Sequence, residues 1–251
     1  MKNPINKILA LLIPLSAIIV LGSLSVNKST QRSIHDVLIE IEDYEGNYFV
    51  GNDEIYDLLN QNGTDYLLGA GLGSLDLELL EKRVKTHTFI TDAEVFHDLK
   101  GNIMVTVEQA QPLARIYDPK GADFYIDKNG FLLPVNAKQT ARVPLIEIEK
   151  KQKWKNNITE TSYGRDLMEM IRFIHHDSFW KAQVAHLIID GNEDIFILPQ
   201  VTKQKVVFGK PDDLTSKFRR LKLFYKDILP RKGWNTYSVV NLKFKNQIIC
   251  K

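Results

Sequence analysis

Ile103-Met104-Val105-Thr106-Val107-Glu108-Gln109-Ala110-Gln111-Pro112 is the stretch on which the organisation of this chain turns. Ile103, Val105 and Val107 alternate with Met104, Thr106 and Glu108, the two-residue period of a half-buried strand. Gln109–Pro112 breaks that period, and the pattern after it is of a different kind. A domain boundary is therefore expected between residues 110 and 111.

Upstream, Phe89–Phe96 reads as a second strand, joined to Ile103 by the hairpin loop His97–Asn102. Before it, Ser74 stands where it could cap a helix with Leu77, Leu80 and Val84 on one side. Glu78–Lys82 and Glu81–Lys85 are i,i+4 pairs on that helix. Earlier still, Asn52 could cap a helix carrying Ile55, Leu58 and Leu59, with Asp53 and Glu54 in its first turn. Val37, Ile39 and Ile41 alternate as a first strand. Residues 36–110 thus read β-α-α-β-β.

Downstream, Leu113–Tyr117, Phe124–Asp127, Phe131–Val135 and Leu145–Ile148 are short strands separated by turn residues such as Asp127-Lys128-Asn129-Gly130. A helix is predicted over Tyr163–His176, then a hairpin of Val184–Asp190 and Asp194–Leu198, then a strand at Val206–Phe208. Pro211 is placed to open a second helix, which Pro230 is expected to stop near Leu229. Tyr237–Phe244 and Gln247–Cys250 close the chain as strands. The predicted class is α+β, with an antiparallel-rich β domain holding two or more helices over residues 111–251.

The other end decides where these domains reside. Between Lys7 and Lys28 lie twenty uncharged residues, Ile8–Asn27. A helix over 8–26 rises about 1.5 Å per residue and nearly crosses a hydrocarbon core of roughly 30 Å. Lys2 and Lys7 favour keeping the short tail inside. Residues 1–7 are then a cytoplasmic tail, 8–26 a transmembrane anchor and 27–35 a stalk. The competing reading is a signal peptide cleaved near Ser23-Leu24-Ser25. Both readings export the rest.

Composition excludes some functions. With 33 basic and 31 acidic residues the net charge is +2, so no bulk field attracts nucleic acid. Cys250 is the single cysteine, so no intramolecular disulfide can form. Gly69-Ala70-Gly71-Leu72-Gly73 has the wrong spacing for a dinucleotide turn. His175-His176 with His186 lacks carboxylates at ligand spacing. Neither a catalytic constellation nor a cofactor or metal motif is present, and the chain reads as a non-enzyme.

Two carboxyl-terminal features stand out. The helix over 212–229 carries Leu214, Phe218, Leu221, Phe224, Tyr225 and Ile228, more apolar residues than one narrow face holds. Lys217, Arg220 and Lys222 crowd its remaining surface. The last strand, Gln247-Ile248-Ile249-Cys250, is apolar, and a terminal strand without proline or inward charge is a template for pairing.

The element order resembles the bacterial cell-division family FtsQ, called DivIB in some lineages. The most specific stretch is Val105–Pro144, with Gln111-Pro112-Leu113-Ala114-Arg115, Tyr125-Ile126-Asp127, Asn129-Gly130, Leu133-Pro134 and Ala141-Arg142-Val143-Pro144. Asn241-Leu242-Lys243-Phe244 and Gln247-Ile248-Ile249-Cys250 add to it. The resemblance implies a POTRA domain over 36–110 and an FtsQ-type β domain over 111–251. It implies a single-pass inner-membrane protein with periplasmic domains at the division septum, performing no chemistry. FtsB-like and FtsL-like single-pass partners are implied, with other divisome components meeting the POTRA domain. Carried over residue by residue, the FtsB-binding surface comprises Phe224, Tyr225, Lys243, Phe244, Asn246, Gln247, Ile248 and Ile249. The basic residues Lys217, Arg220, Lys222 and Lys243 would then favour an acidic partner segment. The alternatives are a POTRA protein of outer-membrane assembly or secretion, and a membrane-anchored envelope enzyme.

Overall fold

The computed structural model describes residues 33–42, 48–119, 121–135, 140–150, 152 and 154–251. The predicted anchor at 8–26, its tail and most of the stalk lie outside the described residues. Among the described residues no helix is long and apolar enough to cross a membrane. The chain divides into two compact units, Met1–Gln109 and Ala110–Lys251.

In the first unit β1 (Val37–Ile41) precedes α1 (Asn52–Leu59) and α2 (Leu77–Val84), then β2 (Ile90–His97) and β3 (Ile103–Gln109). The sheet order is β1-β3-β2, with β1 parallel and β2 antiparallel to β3. Ile55 and Leu59 of α1, and Leu80 and Val84 of α2, are buried together with Ala93, Val95, Ile103, Val105 and Val107 of the sheet. The caps differ from expectation. Gly51 precedes α1 and Asn52 is its first residue. Asp76 rather than Ser74 caps α2, accepting the Leu79 N–H at 3.0 Å, because Leu72–Ser74 is taken up in a 3₁₀ turn. Lys82 pairs with Glu78 at 2.6 Å, but Lys85 turns to Asp92 at 2.6 Å. Glu81 instead accepts the Val95 N–H at 3.0 Å. Gln109 is buried, and its side-chain oxygen accepts the N–H groups of Phe49 (2.8 Å) and Val50 (3.2 Å).

The second unit is built on one nine-stranded sheet, in the spatial order β12-β11-β10-β9-β8-β7-β4-β5-β6. The strands are β4 (Pro112–Tyr117), β5 (Phe124–Asp127), β6 (Leu132–Pro134), β7 (Leu145–Ile148), β8 (Val184–Ile189), β9 (Ile195–Pro199), β10 (Lys205–Gly209), β11 (Val239–Asn241) and β12 (Ile249–Cys250). Among these, β4–β7, β7–β8 and β10–β11 run parallel and the other neighbours antiparallel. A parallel pair needs a long crossover. Helices α3 (Ser162–His176) and α4 (Ser178–Gln183) lie within the β7–β8 connection. The β10–β11 connection holds α5 (Leu214–Leu223), a π turn at Phe224–Ile228 and α6 (Leu229–Lys232). Aromatic rings fill the core: Phe218 stacks on Phe173 at 4.7 Å and meets Trp180 at 4.9 Å and Phe208 at 5.0 Å.

The last helical region departs from its sequence reading at both ends. Pro211 lies ahead of it, and α5 begins only after Asp213, whose φ is 46°. Pro230 does not stop it. The Leu229 N–H reaches back five residues to the Phe224 carbonyl, and the helix continues to Lys232. A regular α-turn would press the proline ring against the carbonyl four residues earlier; the wider π turn relieves that clash.

Candidate functional site at the carboxyl-terminal edge

Cys250 and Ile249 form the outermost strand of the nine-stranded sheet, so the site is a backbone edge before it is a set of side chains. Strand β12 pairs with β11 in the register Val240↔Cys250 and Asn241↔Ile249. Lys251 and Val239 exchange both backbone bonds, at 3.0 and 3.1 Å. In an antiparallel ladder alternate residues face the partner strand. Ile249 and Lys251 therefore turn their N–H and C=O groups toward β11, while Ile248 and Cys250 turn theirs outward. Among the described residues no strand pairs with that outer side.

Both closing strands are shorter than predicted, and Arg220 supplies the reason. This residue of α5 is only 8% exposed. Its guanidinium donates to the carbonyls of Phe244 (2.6 Å), Gln247 (2.6 Å) and Leu242 (3.2 Å). Carbonyls taken by a planar fork cannot join a ladder, so the chain turns between Leu242 and Ile248. The Lys243 N–H bonds to the Asn241 side chain at 2.9 Å, and Asn246 adopts φ 59°. Phe244 projects from this turn at 47% exposure. Lys243, Asn246, Gln247 and Ile249 are exposed and Ile248 is half-buried. These six predicted site residues therefore sit together on one turn and edge strand.

The other two do not join them. Phe224 is 0% and Tyr225 5% exposed, so both are core residues rather than anchors for a partner. Phe224 packs against Tyr237 at 5.9 Å, and Tyr225 lies 6.3 Å from Trp180. The extra residue in the π turn lets two consecutive aromatics face inward, which accounts for an apolar surface too wide for one helix face.

The basic residues also differ from their sequence reading. Lys217 is buried, with its ammonium on Asp212 and on the Lys210 carbonyl at 2.9 Å. Lys222 holds Asp177 at 3.2 Å, and Lys243 holds Asp194 at 2.6 Å. Arg220 serves the turn. All four are committed within the chain, so they are not an open field for an acidic partner. The hydrogen bond and charge of Asp194 raise the Lys243 pKa above its ordinary value. Burial pushes the Cys250 thiol up, away from the reactive thiolate.

Elsewhere, His186 faces Glu147 at 3.3 Å across β8 and β7, a pairing that sequence separation hid. Among the described residues no three His, Cys, Asp or Glu side chains are grouped to hold a metal.

Residues 111–251 match the family model described as FtsQ/DivIB, C-terminal related. Residues 33–108 match a POTRA-like domain. The cell division protein FtsQ of Rhodothermus marinus is 24% identical over 188 residues, a span covering 73% of this chain and 68% of that protein.

Proposed function

The chain belongs to the FtsQ/DivIB family of cell division proteins, and on that premise we propose that it is a non-enzymatic, single-pass scaffold of the divisome. Its residues 8–26 anchor it in the inner membrane and its two domains stand outside at the septum. The β12 edge receives an extended segment of an FtsB-like partner, itself joined to an FtsL-like protein, and so helps to recruit or regulate septal peptidoglycan synthesis. Other divisome components meet the POTRA domain.

The observation that supports this reading is the outward backbone of Ile248 and Cys250 beside the exposed Phe244 ring. An added strand makes about four backbone bonds, each contributing about 1 kcal/mol net. Burial of Phe244 would add roughly 1.5–3 kcal/mol. The turn held by Arg220 is already ordered, which reduces the entropy lost on docking. Two proteins confined to one membrane need only modest affinity.

Co-purification of the full chain with the FtsB-like partner tests the proposal. Ile248→Pro removes an outward N–H and leaves the ladder to β11 intact, and Phe244→Ala removes the exposed ring. Each is expected to reduce recovery of the partner while the chain stays folded by circular dichroism. Undiminished recovery with both would refute the site.

A further inference from the structure

Among the described residues, helices cover one face of the three-stranded sheet of the first unit. Ala93, Val95, Ile103, Val105 and Val107 are buried on that side, so their strand neighbours point to the other. Strand register arranges those neighbours in rows. Leu38, Met104 and Phe96 lie side by side; one step along the strands come Glu40, Thr106 and Glu94; the next step sets Glu108 opposite Asp92.

Two properties of this face bear on what it can bind. Leu38 is 43% and Phe96 46% exposed, so a continuous apolar row crosses the whole sheet in water. Glu40, Glu94, Asp92 and Glu108 make the rest of this face acidic, with Asp92 and Glu108 already partnered within the chain. Lys85 reaches Asp92 at 2.6 Å from the end of α2.

We infer that this face docks a basic amphipathic helix of another protein. The rows recur about every 6.7 Å along a strand, and helix positions i, i+4 and i+8 are about 6 Å apart. A helix lying along the strands can set one large apolar residue over Leu38, Met104 and Phe96. Lys or Arg four and eight residues further on then lies over the two acidic rows. The same acids are repelled by an anionic bilayer surface, so the face suits a protein segment rather than lipid. This inference does not depend on the β12 edge.

The test uses the full chain in detergent and a synthetic helical peptide with one leucine and lysines at the two following positions. A second peptide carries glutamates in place of the lysines. Saturable binding of the lysine peptide is expected, with amide shifts confined to β1, β3 and β2. Affinity should fall at least tenfold in Glu40→Lys/Glu94→Lys, in Phe96→Ser, and with the glutamate peptide. A retained FtsB-like partner in the first variant would show that its carboxyl-terminal edge is intact. Equal binding of both peptides, shifts outside this sheet, preferential binding of phosphatidylglycerol vesicles, or self-association through this face would each overturn it.

Discussion

Arg220 illustrates how one side chain can shape a surface it does not belong to. Its three backbone acceptors lie in the turn joining β11 to β12. Arg220→Met should leave the core intact but loosen that turn. Hydrogen exchange at the Lys251 amide is expected to accelerate more than tenfold, while β8 amides keep their protection. Arg220→Lys should not restore it, since an ammonium lacks the planar fork. Asp98 and Asp127 make a second comparison, because they hold the same turn with opposite electrostatic outcomes. Each accepts the N–H groups two and four residues on: Lys100 and Asn102, or Asn129 and Phe131. Asp98 is only half-buried, and its bonds from Asn102 lower its pKa. Asp127 is buried, and loss of water raises its pKa despite the same bonds. The folded-state value of Asp98 lies below the unfolded one, so its stabilisation is present at neutral pH and lost as pH falls through the folded value. For Asp127 the sign reverses. Its contribution is full below the unfolded carboxyl pKa and is lost as pH rises through the folded value. Asp98→Asn should therefore destabilise at pH 7, and Asp127→Asn should stabilise there, both effects shrinking in acid. Urea midpoints from pH 3 to 7 would check both.

The aspartate turn recurs as an element in three hairpin connections. Asp190 repeats it, accepting from Asn192 and Asp194. The residue three positions after the aspartate has positive φ in all three: Gly101 at 98°, Gly130 at 86° and Glu193 at 63°. Only the third is occupied by a side chain that this conformation disfavours, at a cost of about 1–2 kcal/mol. Glu193 also approaches Lys210 at 3.9 Å, an exposed pair worth at most about 1 kcal/mol. Glu193→Gly should therefore raise stability by about 0.5 kcal/mol, read as a higher urea midpoint with an unchanged slope. The π turn is the other element with consequences. It carries the helix past Pro230 and turns Phe224 and Tyr225 into the core, leaving the site to the strand and turn alone.

At the scale of the molecule, the seam at Gln109 separates two cores, so damage to one should spare the other. Gln109→Ala leaves the N–H groups of Phe49 and Val50 without their acceptor. A loss of about 1–3 kcal/mol is expected in the first unit. Hydrogen exchange of the whole chain should show faster β3 amides and unchanged β8 amides. Alternation at Ile103–Glu108, the break at Gln109–Pro112 and the turn residues around Gly101 and Gly130 already mark the strands, the seam and the hairpins. These are local properties: side-chain period and backbone preference act within a few residues. The resemblance at Val105–Pro144 added the family, and the terminal apolar strand pointed to the edge. Other features depended on distant partners. Arg220 stands in a basic cluster in the sequence, yet its acceptors are more than twenty residues away, and only folding shows it to be an internal clamp. Lys222 and Lys243 find their carboxylates, Asp177 and Asp194, in the same way. A charge in sequence carries no mark of whether it will meet water or a buried acceptor, because desolvation and pairing are properties of the packed structure.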